Sequence, residues 1–341
     1  MQNQVVTFGE IMLRLTPPGF QRLSQAHTFE AIFGGAEANV AVSLAHFGVP
    51  AAYVTRLPRN PLGESCLGFL RRHRVDTRHI ARGGDRLGIY FLERGAAQRG
   101  GSVVYDRAGS SLATIGPGMI DWESALTGAS WFHWTGITPA VSEGAAAACR
   151  EAVETARRLG VTVSCDLNYR AQLWNWGQAP TEVMPELVEA CDLLIGNAWN
   201  AQQMLGFPNF EEEATDVGRP CAFRQALQRR FPNLRMVAIT RRGALSASHN
   251  TWSGLLWDRE TLYQAPTYDI TPIVDRVGAG DAFAAGLIYG LLTYRGNRQR
   301  AVDFAVAASC LKHTIPGDAN QITVDEVEKL MGGDAAGRIS R

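Results

Sequence analysis

Apolar and polar positions along the chain follow two recurring patterns. Short continuous apolar runs stand at 5–8, 52–55, 131–134, 161–166, 192–195 and 236–240, and most of them end at a glycine or a polar residue. Stretches with helical spacing lie between several of these runs: one leads from Gly34 and Gly35 to Gly48, and one at 62–74 has a basic outer face. A third, Ala-rich, covers 142–159, with Ser142 as its cap, Glu143 in its first turn and Gly160 closing it. A continuous apolar run is what a strand needs when both of its faces are covered. Such strands alternating with helices predict an α/β fold of three layers, α/β/α, around a mostly parallel central sheet.

A second group of segments does not fit this framework. Residues 12–22 alternate and carry Pro17, Pro18 and Gly19, while 88–93 and 102–107 read as strands joined by a loop through Gly100 and Gly101. They predict a small β-sheet lid over the carboxyl ends of the main strands, where open α/β sheets bind ligands. Tyr90, Tyr105 and Arg107 alternate so that one lid face carries all three. Farther along, 244–249, 253–257 and 261–264 read as short, mostly antiparallel strands, and helices follow at 282–294, 299–312 and 324–331. There is no internal repeat and no dividing linker. The expected organisation is one domain over 1–333, with lid strands from about 11–33 and 86–112, and a disordered tail at 334–341.

The 341 residues are 46% hydrophobic and 19% charged, enough apolar material for a large core. Lys plus Arg equals Asp plus Glu, 33 each, so bulk charge points to neither nucleic acid nor a membrane surface. Residues 1–10 lack the basic and apolar regions of a secretory leader, and the apolar run at 282–294 is too short to span a bilayer; a cytoplasmic protein is expected. The six cysteines lack C-x-x-C spacing and read as buried free thiols, with no zinc site.

Candidate chemistry concentrates at 275–283, D-R-V-G-A-G-D-A-F, which runs into the 282–294 helix. Glycines around an alanine, then an acid opening a helix, make a turn whose free N–H groups suit an anion. Asp281 alone is read equally well as an acid favoured by the helix dipole. A dinucleotide fold is excluded: the third glycine position holds Phe283, and the motif lies late in the chain. No G-x-x-x-x-G-K-[ST] loop occurs. Polar residues also sit where strands end: Asp166 to Arg170, Asn197, and Arg241, Arg242 and Gly243. Near the N-terminus Gly35 permits close approach to the backbone, and Asn39 is polar on an otherwise apolar helix.

Together the Gly34-Gly35 pair with Asn39, the lid strands and the late D-x-V-G-A-G-D resemble the ribokinase-like (PfkB-type) carbohydrate kinases, over the chain from Gly9 to about Asn320. Within that family, G-E-I-M-L-R-L at 9–15, G-I-T-P-A at 136–140, D-L-N-Y-R at 166–170 and the Tyr105/Arg107 pair are most similar to 2-keto-3-deoxygluconate kinases. The resemblance implies a ribokinase-like fold and an ATP-dependent kinase with Mg2+ accompanying the nucleotide. It implies Asp281 as catalytic base and Gly278, Ala279 and Gly280 as anion hole. Gly35, Asn39, Tyr90, Tyr105, Arg107 and Arg170 would bind the sugar, and Asn168, Asn197, Arg241, Arg242, Gly243 and Asn320 the nucleotide. No protein side chain is assigned as a metal ligand, and a homodimer through lid sheets is implied.

Two arginines, Arg107 and Arg170, favour a carboxylate-bearing acceptor, since the guanidinium fork binds that group bidentately; the alternative reading is ordinary lid and strand-end ion-pair partners. Three motifs depart from the family pattern: Asn200 stands where N-x-x-E has its acid, Arg241 and Arg242 interrupt T-x-G-x-x-G, and Arg276 replaces an uncharged residue. A fructokinase and a sugar-binding regulatory protein remain as alternatives, the second kept open by Asn200.

Overall fold

The computed structural model describes residues 3–208, 210 and 222–334. Strand β1 (Gln4–Phe8) enters the centre of the molecule with Val5 to Phe8 all buried. The chain then leaves for β2 (Met12–Thr16) and β3 (Glu30–Gly34), and returns through α1 (Ala36–His46) and β4 (Ala51–Val54). A two-residue parallel ladder, β5 (Arg56–Leu57) with β6 (Ala81–Arg82), brackets α2 (Pro61–Arg72). Strands β7 (Ile89–Glu93) and β8 (Ser102–Asp106) lead to α3 (Trp122–Leu126), β9 (Ala129–Thr135), α4 (Ile137–Val141) and α5 (Glu143–Arg158). Ser142 caps α5 by accepting from the Ala145 N–H at 3.1 Å.

The alternation continues with β10 (Thr162–Asp166), α6 (Pro180–Val188), β11 (Leu193–Ile195), α7 (Ala198–Leu205), α8 (Ala222–Arg230) and β12 (Met236–Ser246). Strands β13 (His249–Trp257), β14 (Leu262–Gln264) and β15 (Tyr268–Ile270) precede α9 (Ala279–Thr293), α10 (Arg298–Lys312) and α11 (Val324–Met331). The main sheet runs β14-β13-β12-β11-β10-β9-β1-β4, with β15 also on β13. From β4 to β12 every pairing is parallel; β13 turns antiparallel against β12, β14 and β15.

Two apolar cores sandwich this sheet. Val6 and Phe8 point into one, with α5, α6 and α7, while Val5 points into the other, with α1, α9 and α10. Burial on both faces explains why the strands read as unbroken apolar runs. The second sheet, β3-β2-β7-β8, is the lid, with β2 and β7 parallel and its outer pairs antiparallel.

Several expectations need correction. The helical stretch expected from Gly34 begins at Ala36, and Gly34 itself ends β3, opposite Met12. The segments read as separate strands at 236–240 and 244–249 are joined as far as Ser246 into one long β12, while His249 opens β13; the polar stretch Arg241 to Gly243 pairs with 251–253 of β13. Polar side chains are permitted there because 241–245 of β12 are half-buried or exposed, although Trp252 and Ser253 on the facing β13 stay buried. Helices α6, α7 and α8, unassigned by the patterning, supply the crossovers that a parallel sheet requires. Cys310 is half-buried rather than buried, and Cys221 lies outside the described residues. Of the tail at 334–341 only Asp334 is described.

Candidate active site

The loop 275–278 delivers the chain to α9 with Gly278 as its N-cap in the left-handed region, φ +83°. A Cβ at Gly278 would meet the Asp318 carbonyl oxygen at 1.9 Å, so glycine is required both by conformation and by contact. Of the first-turn N–H groups, that of buried Ala279 donates to the Arg276 carbonyl at 3.3 Å, while Gly280 is exposed at the helix start, where N–H groups have no intrahelical partner.

Asp281 follows in that first turn. Its Oδ2 accepts from the Asn39 Nδ2 at 2.7 Å, and α1 can bring Asn39 there because α1 starts immediately after the close-packed Gly35. A Cβ at Gly35 would strike the Glu10 carbonyl oxygen at 2.0 Å. Burial pushes the Asp281 carboxyl up to about 6 and the Asp318 charge adds to this, while the Asn39 bond and the Arg170 and Lys312 charges pull it down. A carboxyl poised near neutrality can take and return a proton. The structure thus brings Asn39 onto the carboxylate of Asp281.

Two further acids, Glu37 and Asp166, crowd this end of the sheet, and the first has no local signature in the chain. Glu37, in the first turn of α1, is buried, and its Oε1 accepts from the Thr135 N–H at 3.2 Å and from the hydroxyls of Thr135 and Thr138 at 2.7 and 2.8 Å. Burial raises it to about 7. Asp166, at the carboxyl end of β10, also rises to about 7 through burial and the Asp281 charge, with Arg170 opposing. Arg170 is exposed, and its charge reaches both Asp166 and Asp281.

Beneath the turn lies a buried ionic network that the sequence reading missed. Arg14 of β2 is fully buried and donates to Asp318 at 2.5 Å, to Asp275 at 2.6 Å and to the Thr16 hydroxyl at 2.8 Å. Burial opposes its charge, but the two carboxylates outweigh that cost and hold the guanidinium protonated. The free oxygen of Asp318 accepts from the Tyr90 hydroxyl. Tyr90 is therefore buried with its polar end engaged, while Tyr105, directly opposite on β8 and 5.9 Å away between ring centroids, remains exposed.

Arg107 lies over the Tyr105 ring and donates to buried Glu10, so one edge of its fork is already occupied. Its Nε and the Glu10 Oε1 have no partner. Glu10 is a residue that sequence spacing could not single out, because its partner lies 97 positions away.

A cavity of about 600 Å3 opens between α7 and the β12–β13 hairpin. It brings together Asn197, Arg241, Arg242 and Gly243, with Trp199 and Thr251 among its other walls. Asn197 caps α7, accepting from the Asn200 N–H at 2.8 Å. Arg276 donates to the carbonyls of Ser246 and Ala247, stitching the hairpin to the turn. Asn168, held at φ +39°, and buried Asn320, whose Oδ1 accepts from the Ile322 N–H, do not line this cavity. Among the described residues no group of three His, Cys, Asp or Glu is placed to hold a metal ion, and no helix is long and apolar enough to cross a membrane.

Comparison with known proteins identifies the family and the fold. The family model described as pfkB family carbohydrate kinase matches residues 2–325. A 2-dehydro-3-deoxygluconokinase from Thermotoga maritima, solved by crystallography, superimposes with a TM-score of 0.90 at 46% identity, over 97% of this chain and 99% of that one. A 2-dehydro-3-deoxygalactonokinase of Haloferax volcanii is 33% identical over 98% of this chain and 99% of its own. A fructokinase from Xylella fastidiosa with bound ATP, 20% identical with a TM-score of 0.78 over 98% of this chain and 100% of its own, shares the fold.

Proposed function

Because this chain belongs to the pfkB family of carbohydrate kinases, and is therefore a phosphotransferase with an alcohol acceptor, we propose that it phosphorylates the terminal hydroxyl of a keto-deoxy sugar acid, 2-keto-3-deoxygluconate or a close epimer, with ATP as donor. The observation that carries this reading is Asp281, opening α9 beside an exposed anion-binding turn, held by Asn39 and poised at about 6.

Asp281 takes the proton of the attacking hydroxyl as its oxygen bonds to the terminal phosphorus. The bond from that phosphorus to the bridging oxygen breaks, and ADP leaves. The turn N–H groups at 278–280 hold the charge that develops on the transferred group. Arg170, exposed and close in field to Asp281, is the freer guanidinium for the acceptor carboxylate, with the unpaired edge of Arg107 and the Tyr105 ring forming the far wall.

The cavity walled by Asn197, Arg241, Arg242 and Gly243 suits the nucleotide, its guanidiniums facing the phosphate chain. Without a carboxylate cage among the described residues, Mg2+ fits here as an ion carried on the nucleotide phosphates with most of its waters. When bound it neutralises phosphate charge. The exposed Val103, Val104 and Tyr105 on lid edge β8 favour a second copy covering that edge, which a dimeric mass in solution would support and a monomeric one would rule out.

A coupled ADP-release assay with 2-keto-3-deoxygluconate and fructose in parallel tests the function. Turnover on the sugar acid that Asp281→Asn abolishes is the expected result. Turnover on fructose alone would overturn the acceptor assignment.

A further inference from the structure

Lys312 is a buried charge that the proposed chemistry leaves unused. It stands in the last turn of α10 with no exposed surface, and its ammonium donates to two carbonyl oxygens, those of Asp275 at 3.4 Å and Ile315 at 3.3 Å. A buried ammonium is costly unless oxygens surround it, so its placement calls for a cause.

The end of α10 grips the catalytic turn from behind at several points. The His313 carbonyl accepts from the N–H groups of Val274 and Asp275 at 2.9 and 3.2 Å. The Ser309 hydroxyl donates to the Ala279 carbonyl at 2.7 Å, at the other end of the same turn. Lys312 adds a charged contact between these two, on the Asp275 carbonyl. Turning that carbonyl inward sets the plane of the first peptide in the stretch that ends at Gly280.

We propose that Lys312 is a positioning residue for phosphoryl transfer, its buried ammonium a built-in cation that fixes the 275–280 turn and supports negative charge arriving at its outer face. This rests on the assignment of that turn as the anion hole. The charged and titratable groups around the ammonium are Asp275, Asp318 and Asp281, which favour its charge, and Arg14, which opposes it; neighbouring His313 feels Lys312, Arg276 and Arg242 in turn. Burial lowers the Lys312 pKa, while its charge pulls Asp281 downward.

The test uses the full-length protein with Lys312→Met, which keeps the volume, and Lys312→Ala, which removes stem and ammonium together and leaves a hole that ends at the Asp275 and Ile315 carbonyls, with room for a small hydrated cation. Melting temperature, kcat, KM and the acidic limb of the pH profile are measured in ammonium, potassium and N-methylglucamine chloride at equal ionic strength. The expected result is a kcat at least about ten-fold lower in Lys312→Met with the acceptor KM little changed. The acidic limb should move to higher pH. In Lys312→Ala, ammonium or potassium, but not N-methylglucamine, should restore both kcat and melting temperature.

A kcat in Lys312→Met within two-fold of the parent would overturn the proposal. So would a loss that follows only the folded fraction and that no small cation reverses. If the unsubstituted protein phosphorylates no sugar acid, the functional assignment fails separately, while ion-dependent melting of Lys312→Ala still reports whether a cation is held behind the turn.

Discussion

Asn39 and Asp281 allow the sharpest test of the site, because a single hydrogen bond joins them at 2.7 Å and its loss has a calculable effect. A hydrogen bond to a charged acceptor is worth about 1.5–3 kcal/mol net. One pKa unit corresponds to about 1.4 kcal/mol, so Asn39→Ala should lift the Asp281 carboxyl by about one to two units. The direction is upward because the amide stabilises the carboxylate and not the acid. From a starting value of about 6, the base would then be about half to nine-tenths protonated at neutral pH. The assay is kcat/KM for the sugar acid from pH 5 to 9.5. The expected outcome is a two- to ten-fold loss at pH 7 that vanishes at pH 9 or above, with the acidic limb displaced. If the limb stays near its original position and kcat/KM falls equally at every pH, Asn39 acts on the sugar and not on the base.

Three further outcomes follow from the same geometry. Arg170→Ala should raise the acceptor KM at least about ten-fold while leaving the ATP KM nearly unchanged; an unchanged acceptor KM would remove Arg170 from the sugar site. Gly278→Ala should destabilise by several kcal/mol, since it adds both a left-handed φ and a clash at 1.9 Å with the Asp318 carbonyl; a urea midpoint equal to the parent's would refute this. Glu37→Gln should flatten the dependence of stability on pH: with a folded value of about 7 against an ordinary 4.5, the folded state binds more protons in that window, so parent stability falls as pH rises through it. Parallel urea-midpoint curves for parent and variant between pH 5 and 8 would contradict the assignment.

Sequence patterning worked where the cause of structure is local. The turn at 275–281, the cap at Ser142 and the doubly buried strands all announce themselves within a few residues, because their chemistry is settled by neighbours in the chain. It failed where the cause is distant. Nothing near Arg14 says that it will be buried, since the acids that make burial tolerable lie 261 and 304 positions away. Glu37 reads as an ordinary first-turn acid until Thr135 and Thr138 close over it. Arg241 and Arg242 look like a strand end because polar side chains interrupt an apolar run, yet the backbone ladder to β13 continues past them.

The pairing of Arg14 with Asp318 also bears on how the protein is made. Synthesis places Arg14 outside the ribosome long before Asp275 and Asp318 exist, so during elongation its guanidinium must stay in water and β2 cannot dock in its final place. The lid joins the body through Arg14 and Tyr90, and both wait for Asp318, close to the end of the chain. A nascent chain stalled before that position would carry Asp281 and its glycine turn already translated but not yet braced. Activity should therefore appear late and abruptly with length in a series of ribosome-bound truncations, and not in proportion to the amount of sheet already formed.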